Sequence, residues 1–307
     1  MRILFAGTPA PAADVLSRLL AQGIQVQAVL ARPDAPAGRG RSLHRCEVAH
    51  VADRAGIEVY QPVSLRGPQT QAWLAARQPD VVLVVAYGLM VPSHLLDLPR
   101  LGWLNLHFSL LPAWRGAAPV QRALEAGDEI TGATVFRIEQ GLDTGPVYGQ
   151  VTCDIDPGDN AGSLLARLCE SGSDLLAAVL QGLDTDGLTP QPQDHAAATW
   201  AGRVSTDEAR IDWRAPALAV NRRVRAFTPH PGAWTTLGGH RVKLSGIPKV
   251  MEQGTLTPGR VHTDRGQVLV GTGSVDLLLD LVQPAGKPAM AAADWARGLR
   301  EPAPVFE

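Results

Sequence analysis

The sequence is short of the features that assign a protein to a class by bulk properties. None of its 307 residues fall in an apolar run approaching the roughly 20 needed to span a membrane, so no spanning helix is expected. There are only three cysteines, Cys46, Cys153 and Cys169, and no two have CxxC spacing. That excludes a disulfide framework, argues against a cysteine zinc site, and suits a reducing, cytoplasmic compartment. The formal net charge is only −2, which gives no global pull toward nucleic acid or membrane. A local basic patch can still bind RNA. The opening MRILFAGTPAPAADVL has too short an apolar core for a secretory signal. The FAGTP loop lacks G-x-G-x-x-G and carries Pro9 and Pro11 where glycines would be needed, so a nicotinamide cofactor is not expected. Internal repeats and low-complexity tracts are absent too.

What is present is a pattern of alternating elements. The apolar fraction, 45%, is that of a globular chain long enough for two domains. RILFA, VQAVLA, IEVY, VVLVVAY and LGWLNLHF read as strands. Between them PAADVLSRLLAQG, LHRCEVAHVADRAG and QTQAWLAARQ read as helices, and APVQRALEAG follows as another. VVLVVAY is apolar throughout, as a strand buried on both faces should be. This βαβ order predicts an α/β fold, a Rossmann-like, mostly parallel sheet over residues 1–183 that closes with a long helix from Asp159. Residues 184–206, rich in Pro, Gly and polar side chains, read as a linker. From 207 to 307 the pattern changes to one helix, ALAVNRRVRAF, and several short strands, with Gly238-Gly239 marking a hairpin and VDLLLDLVQ reading as one strand. A small OB-like β-barrel is expected there. From Ser205 onward 13 Lys and Arg face 10 Asp and Glu, an excess that a solvated mixed surface explains equally well.

The chemistry concentrates between Asn105 and Gly145. Asn105 and His107 are two apart at the end of a strand and so share a face. In an open α/β sheet, ligands bind beyond the carboxyl ends of strands. Asp143 sits in the glycine-flanked loop GLDTG, after the alternating run ATVFRI. An amide donor, an imidazole and a carboxylate suit acyl transfer to an amine, one group stabilising an oxyanion and the others managing the amine proton. Taken singly, a strand-end His and a loop Asp are more often structural. A second feature is the flexible basic stretch RPDAPAGRGRSLHR, either a solvated loop or a contact for a polyanion.

These segments also carry a resemblance. FAGTP, RPDAPAGRGR, LVVAYGLMVP, NLHFSLLPAWRGAAPVQRA, GLDTG and VRAFTPHPGAW resemble the methionyl-tRNA formyltransferases over nearly the whole length. The NLH, SLLP, RGA-P and GLDTG core is similar to that of folate-dependent formyltransferases generally, and the PAGRGR loop and barrel-like second domain narrow it to the tRNA family. Phe108 and His230 depart from it, standing where a small residue and a Trp are usual. The resemblance implies transfer of a formyl group from 10-formyltetrahydrofolate, a co-substrate, to the methionine amine of initiator methionyl-tRNA, with no metal. It implies that Asn105, His107 and Asp143 are catalytic, and that Ser109, Leu110, Leu111 and Pro112 line the folate site. Tyr87, Gly88 and Leu89 would border the pteridine ring, and Arg39 and Arg41 would meet the tRNA acceptor end. A monomeric cytoplasmic enzyme is expected. The competing readings are a folate-dependent formyltransferase of a nucleotide or sugar amine, a hydrolase releasing formate from the same site, and an RNA-binding module with a degenerate enzyme domain.

Arg39 gives the first test. Its flanking glycines let the backbone approach a ligand closely. Arg39→Ala should lower transfer to charged tRNA while folate binding persists, and should flatten the salt dependence of the rate by removing a phosphate contact. Arg39→Lys should rescue it only in part. Wild-type kinetics of Arg39→Ala across a salt series would make the loop a solvated one.

Overall fold

The computed structural model describes residues 1–37, 42–185, 187–299 and 304–307. They divide into two compact units, one of Met1–Gly116, Ile130–Asp154 and Leu165–Trp200, the other of Ala117–Glu129, Ile155–Leu164 and Ala201–Glu307.

The first unit is built on strands β1 (Ile3–Gly7), β2 (Val26–Leu30), β3 (Glu58–Tyr60), β4 (Val81–Val85), β5 (Trp103–His107), β6 (Ile130–Arg137) and β7 (Val147–Asp154). They form one seven-stranded sheet in the order β7-β6-β5-β4-β1-β2-β3. β1 to β5 run parallel, whereas β6 is antiparallel to β5 and β7 to β6. β1 and β4 are buried at every position, the burial expected of central strands covered on both faces. Helix α1 (Ala10–Ala21) buries Val15, Leu16 and Leu19, and α2 (Glu47–Arg54) buries Val48 and Val51. α3 (Pro68–Arg77) buries Leu74. The chain builds β2 and β3 on one side of β1, then returns to place β4 and β5 on the other. The order reverses between β1 and β4, and β5, beside β4, ends at the same carboxyl edge of the sheet, the edge at which such sheets bind ligands.

One element differs from expectation. The helix read from Leu43 begins at Glu47, and Ser42–His44 instead pairs with Ala35–Ala37. Leu43 is 74% exposed, so it contributes no apolar face to hold a helix against the sheet. Arg39 and Arg41, between these two short strands, lie outside the described residues.

In the second unit, α4 (Pro119–Ala126) packs on α6 (Ala217–Phe227) through Val120, Ala123 and Leu124 on one side and Val220, Val224 and Phe227 on the other, all buried. Arg223 pairs with Glu125 at 3.0 Å, and Arg122 with Glu125 at 2.7 Å and with Glu208. This packing assigns residues 117–129 to the second unit, whereas the sequence division kept them in the first. The long helix α5 (Ala161–Asp184) likewise begins in the second unit and continues in the first.

Two four-stranded antiparallel sheets complete the second unit. One orders Trp234–Leu237, His240–Leu244, Leu281–Pro284 and Met290–Ala291; the other orders Lys249–Val250, Leu277–Leu279, Gln267–Val270 and Val261–Asp264. Gly238 and Gly239, at φ +53° and +76°, make the first hairpin turn, and Arg265 and Gly266, at +47° and +80°, make another. VDLLLDLVQ, expected as one strand, is two. It passes from one sheet to the other at Asp280, where a Cβ on Gly246 would come within 2.8 Å of the Asp280 carboxylate. The last residues join the two sheet edges. Val261 donates to the Pro304 carbonyl at 2.9 Å, Phe306 to that of Gly259 at 2.8 Å, and Glu307 to that of Thr236 at 3.0 Å. One edge of each sheet, which would otherwise lie open, is thereby paired.

Phe306 anchors this pairing, stacked on Trp213 at 5.4 Å and on Trp295 at 5.6 Å. Phe306→Ala should destabilise the second unit by about 3–5 kcal/mol, since it empties a fully packed aromatic site. Denaturant unfolding followed by tryptophan fluorescence reads this directly, and a loss below about 1 kcal/mol would mean that the edges hold without the ring.

Candidate active site

The site grows from the carboxyl end of β5. Asn105 and His107 point to one face, His107 opposite Thr134 of β6 and Asn105 opposite Phe136. His107 is buried and Asn105 half-buried. The His107 ring meets Phe136 edge-on at 6.4 Å.

The loop after β5 is folded by side chains of β6 and β7. The buried Thr134 hydroxyl donates to the Ser109 carbonyl at 2.6 Å and accepts the Leu111 N–H at 3.1 Å. Gln150 donates to the Leu111 carbonyl at 2.8 Å. The Ser109 hydroxyl donates to the Ala113 carbonyl at 2.6 Å. Ser109 and Leu111 are therefore buried parts of the loop, while Leu110 and Pro112 stay half-exposed. A Cβ on Gly132 would lie 2.5 Å from Leu110, so glycine there is what lets the loop sit so close to β6.

At the far end of the loop Trp114 takes a left-handed backbone, φ +59°, and turns its carbonyl toward His107. The Nε2–H of His107 donates to that carbonyl at 2.9 Å. Since a carbonyl only accepts, Nε2 carries the proton, which leaves Nδ1 with a lone pair in the neutral ring. Nδ1 faces Asp143 Oδ2 at 3.9 Å, in range for an ion pair once the ring is protonated. Asp143 also has a left-handed backbone, φ +52°, and its Oδ2 accepts the Gly116 N–H at 2.8 Å. Each left-handed non-glycine residue costs on the order of 1 kcal/mol and persists only where its surroundings hold it. At Gly145 a Cβ would fall 1.8 Å from the Arg137 carbonyl, so the GLDTG loop needs that glycine for close packing.

Burial dominates the titration of His107 and pushes its pKa below the ordinary value of 6.5, while Asp143 and the Trp114 carbonyl pull the other way. The resting imidazole is neutral at pH 7.

His107 and Asp143 therefore meet at the end of β5, with Asn105 two residues back on the same face of the strand. Gly88, at φ +81°, is exposed and Leu89 half-buried, but the Tyr87 ring lies in the apolar core with Leu4, Val82, Leu95 and Trp103. Three further residues here escaped the sequence reading. Arg115 and Gln193 are buried side by side near Asp143, and the Thr199 hydroxyl accepts the Trp114 N–H at 2.8 Å. Gln193 and Thr199 belong to residues 184–206. This stretch is no free tether, because Val147 and Gln191 exchange backbone bonds and Thr199 pairs with Arg115. Its polar, Pro-rich composition carries no periodicity, so nothing in the sequence marks it as packed.

A family profile described as formyl transferase covers residues 1–180, and one described as formyl transferase, C-terminal domain, covers residues 203–300. The chain is 51% identical over 300 residues to a methionyl-tRNA formyltransferase of Salinispora tropica, spanning 98% of this chain and 97% of that one. It is 52% identical over 305 residues to that of Mycobacteroides abscessus, spanning 99% of each. This chain belongs to the methionyl-tRNA formyltransferases. In fold it is also similar to HypX from Aquifex aeolicus, solved with tetrahydrofolic acid, at TM-score 0.67 and 18% identity, covering 96% of this chain and 46% of that one. It is a folate-dependent formyltransferase, and the Rossmann-like first unit and antiparallel second unit are those the sequence predicts.

A neutral buried His107 has a consequence for stability. In the unfolded chain the ring titrates near 6.5, whereas the folded ring binds its proton only at lower pH. Above pH 7 the group has no effect. As pH falls through 6.5 toward the folded value, the unfolded state takes up a proton that the native state does not, and stability declines. Denaturant midpoints at pH 7.5 and 5.5 should separate more in the wild type than in His107→Gln. Equal separations would show that burial does not govern the ring.

Proposed function

We propose that the enzyme moves the formyl group of 10-formyltetrahydrofolate to the methionine amine of initiator methionyl-tRNA, and that Asn105, His107 and Asp143 carry the step. It supplies formylmethionyl-tRNA for translation initiation, working as a cytoplasmic monomer. The observation that carries this reading is the face-to-face arrangement of His107 Nδ1 and Asp143 Oδ2 beside Asn105 at the end of β5.

The roles follow from the atoms. The incoming amine attacks the formyl carbon as a neutral nucleophile, and the formyl oxygen becomes negative. The half-exposed Asn105 amide donates to that oxygen. The amine then loses a proton, directly or through water, to Asp143 or to the free lone pair of His107 Nδ1. An imidazolium formed there is balanced by Asp143 at 3.9 Å and held by the Trp114 carbonyl. The same proton passes to the leaving nitrogen of the folate as the C–N bond breaks, so the pair returns to its resting state. Leu110 and Pro112 offer an apolar edge for the folate, with Gly88 and Leu89 across the neighbouring strand end. Arg39, Arg41 and the second unit serve the tRNA, whose size demands contacts beyond the reacting amine.

The formyltransferase of a sugar or nucleotide amine, which the site chemistry alone leaves open, is disfavoured by the near-complete alignment with relatives named for methionyl-tRNA. The deciding experiment offers 10-formyltetrahydrofolate with charged initiator tRNA, with an amino sugar nucleotide, or with water alone. Formylated tRNA should dominate. Asn105→Ala and His107→Ala should each lose about 100-fold or more in rate while keeping the fold, and Asp143→Asn should do the same. Near-normal turnover in a folded variant would remove that residue from the mechanism.

A further inference from the structure

The GLDTG loop is held by one buried amide. Gln193 Nε2 donates to the Asp143 carbonyl at 2.9 Å and to the Gly145 carbonyl at 2.7 Å. Its Oε1 accepts from Arg115 Nε at 3.1 Å and from Arg115 Nη2 at 2.6 Å. The orientation of the amide is fixed by chemistry, because carbonyls only accept and a guanidinium only donates. Both donors and both acceptor sites of the side chain are used. Gln193 is 8% exposed and Arg115 3%. Arg115 Nη2 also donates to His195 Nδ1 at 3.0 Å, so the whole set belongs to residues 193–195 and the loop ends they face.

The same stretch holds the other strained residue of the site. Thr199 accepts the Trp114 N–H through its hydroxyl at 2.8 Å and the Arg115 N–H through its carbonyl at 2.9 Å. Thus residues 193–199 grip both left-handed backbones that present groups to His107, Trp114 through its carbonyl and Asp143 through its carboxylate.

We propose that Gln193 is a positioning residue for formyl transfer, which fixes the Asp143 backbone so that its carboxylate reaches both the Gly116 N–H and His107. This rests on the reading of Asp143 as catalytic. Arg115 acts behind it, because its guanidinium sets the amide so that both N–H groups meet the loop. The amide touches neither the reacting carbon nor the amine. Its removal should therefore slow the chemical step and leave the formyl donor's binding in place, since displacement of a catalytic group by about 1 Å can cost 100-fold.

The test uses the full chain with charged initiator tRNA. Gln193→Met keeps the bulk and removes all four hydrogen bonds. Gln193→Glu keeps the contacts to Arg115, loses both donors and sets a carboxylate against two carbonyls. Asp143→Asn and the double variant with Gln193→Met complete a cycle. Both Gln193 variants should lower kcat by about 10-fold or more, with KM for the formyl donor within about threefold of wild type. They should also shift the acidic limb of the pH–rate profile, because the distance between Asp143 and His107 changes. The double variant should be no slower than Asp143→Asn alone. If Asp143→Asn is fully active, the reading of Asp143 fails and this proposal with it. If Asp143→Asn is inactive but Gln193→Met keeps wild-type kcat and pH profile, only this proposal fails. A lowered melting temperature with unchanged kinetics, or loss of the fold in both Gln193 variants, would make Gln193 a structural residue and overturn it.

Discussion

The backbone N–H of Gly116 donating to the Asp143 carboxylate is the contact on which the site depends. It joins two loops that leave the sheet at different places, one after β5 and one between β6 and β7. Thr134, Gln150, Thr199 and Gln193 hold the two loops individually, and this bond ties one directly to the other. The first carries the Trp114 carbonyl that orients His107, and the second carries the carboxylate that faces the ring. A charge-assisted bond to a backbone donor is short and strong, and here it is partly shielded from water. It keeps a carboxylate 3.9 Å from a neutral imidazole, without the ring having to be charged beforehand.

Such a site is costly to build. Asp143 and Trp114 both sit in a backbone region that side chains avoid, and His107, Arg115 and Gln193 are buried polar groups. Each is compensated locally. Thr134 and Gln150 satisfy the SLLP loop, Gln193 satisfies the GLDTG loop, and Thr199 satisfies Trp114. Networks of this kind stabilise only when every member is paired, which gives the arrangement a single geometry rather than several. The glycines have a matching role. Gly132 and Gly145 are placed where a Cβ would strike Leu110 or the Arg137 carbonyl.

The second unit solves a different problem. Its two small sheets share a chain that bends at Asp280, and one edge of each is paired by the final residues around Phe306. The ion pairs among Arg122, Arg223, Glu125 and Glu208 lie at the junction of α4 and α6 and are partly exposed. Salt screens pairs of that kind, so the apolar contact of Val120, Ala123 and Leu124 with Val220, Val224 and Phe227 carries most of the packing.

The sequence by itself determined the strands of the parallel sheet, because β-branched runs such as VVLVV between helical stripes admit few other arrangements. It also determined that Asn105 and His107 share a face, since alternation along a strand is a local rule. The Gly238-Gly239 hairpin of the second unit was legible for a similar reason: positive φ is read from one or two residues. Tertiary structure alone decided the rest. The helix expected from Leu43 is shortened because its first residues find partners in Ala35–Ala37 instead. VDLLLDLVQ is broken at Asp280 by the need to serve two sheets. The core position of Tyr87, the neutral state of His107 and the grip of Gln193 and Thr199 on two distant loops all depend on contacts between residues far apart in the chain. A polar segment without periodicity, such as residues 184–206, leaves no local signal of what it will touch. Its partners exist only once the sheet has brought the loop after β5 and the loop before β7 to the same place.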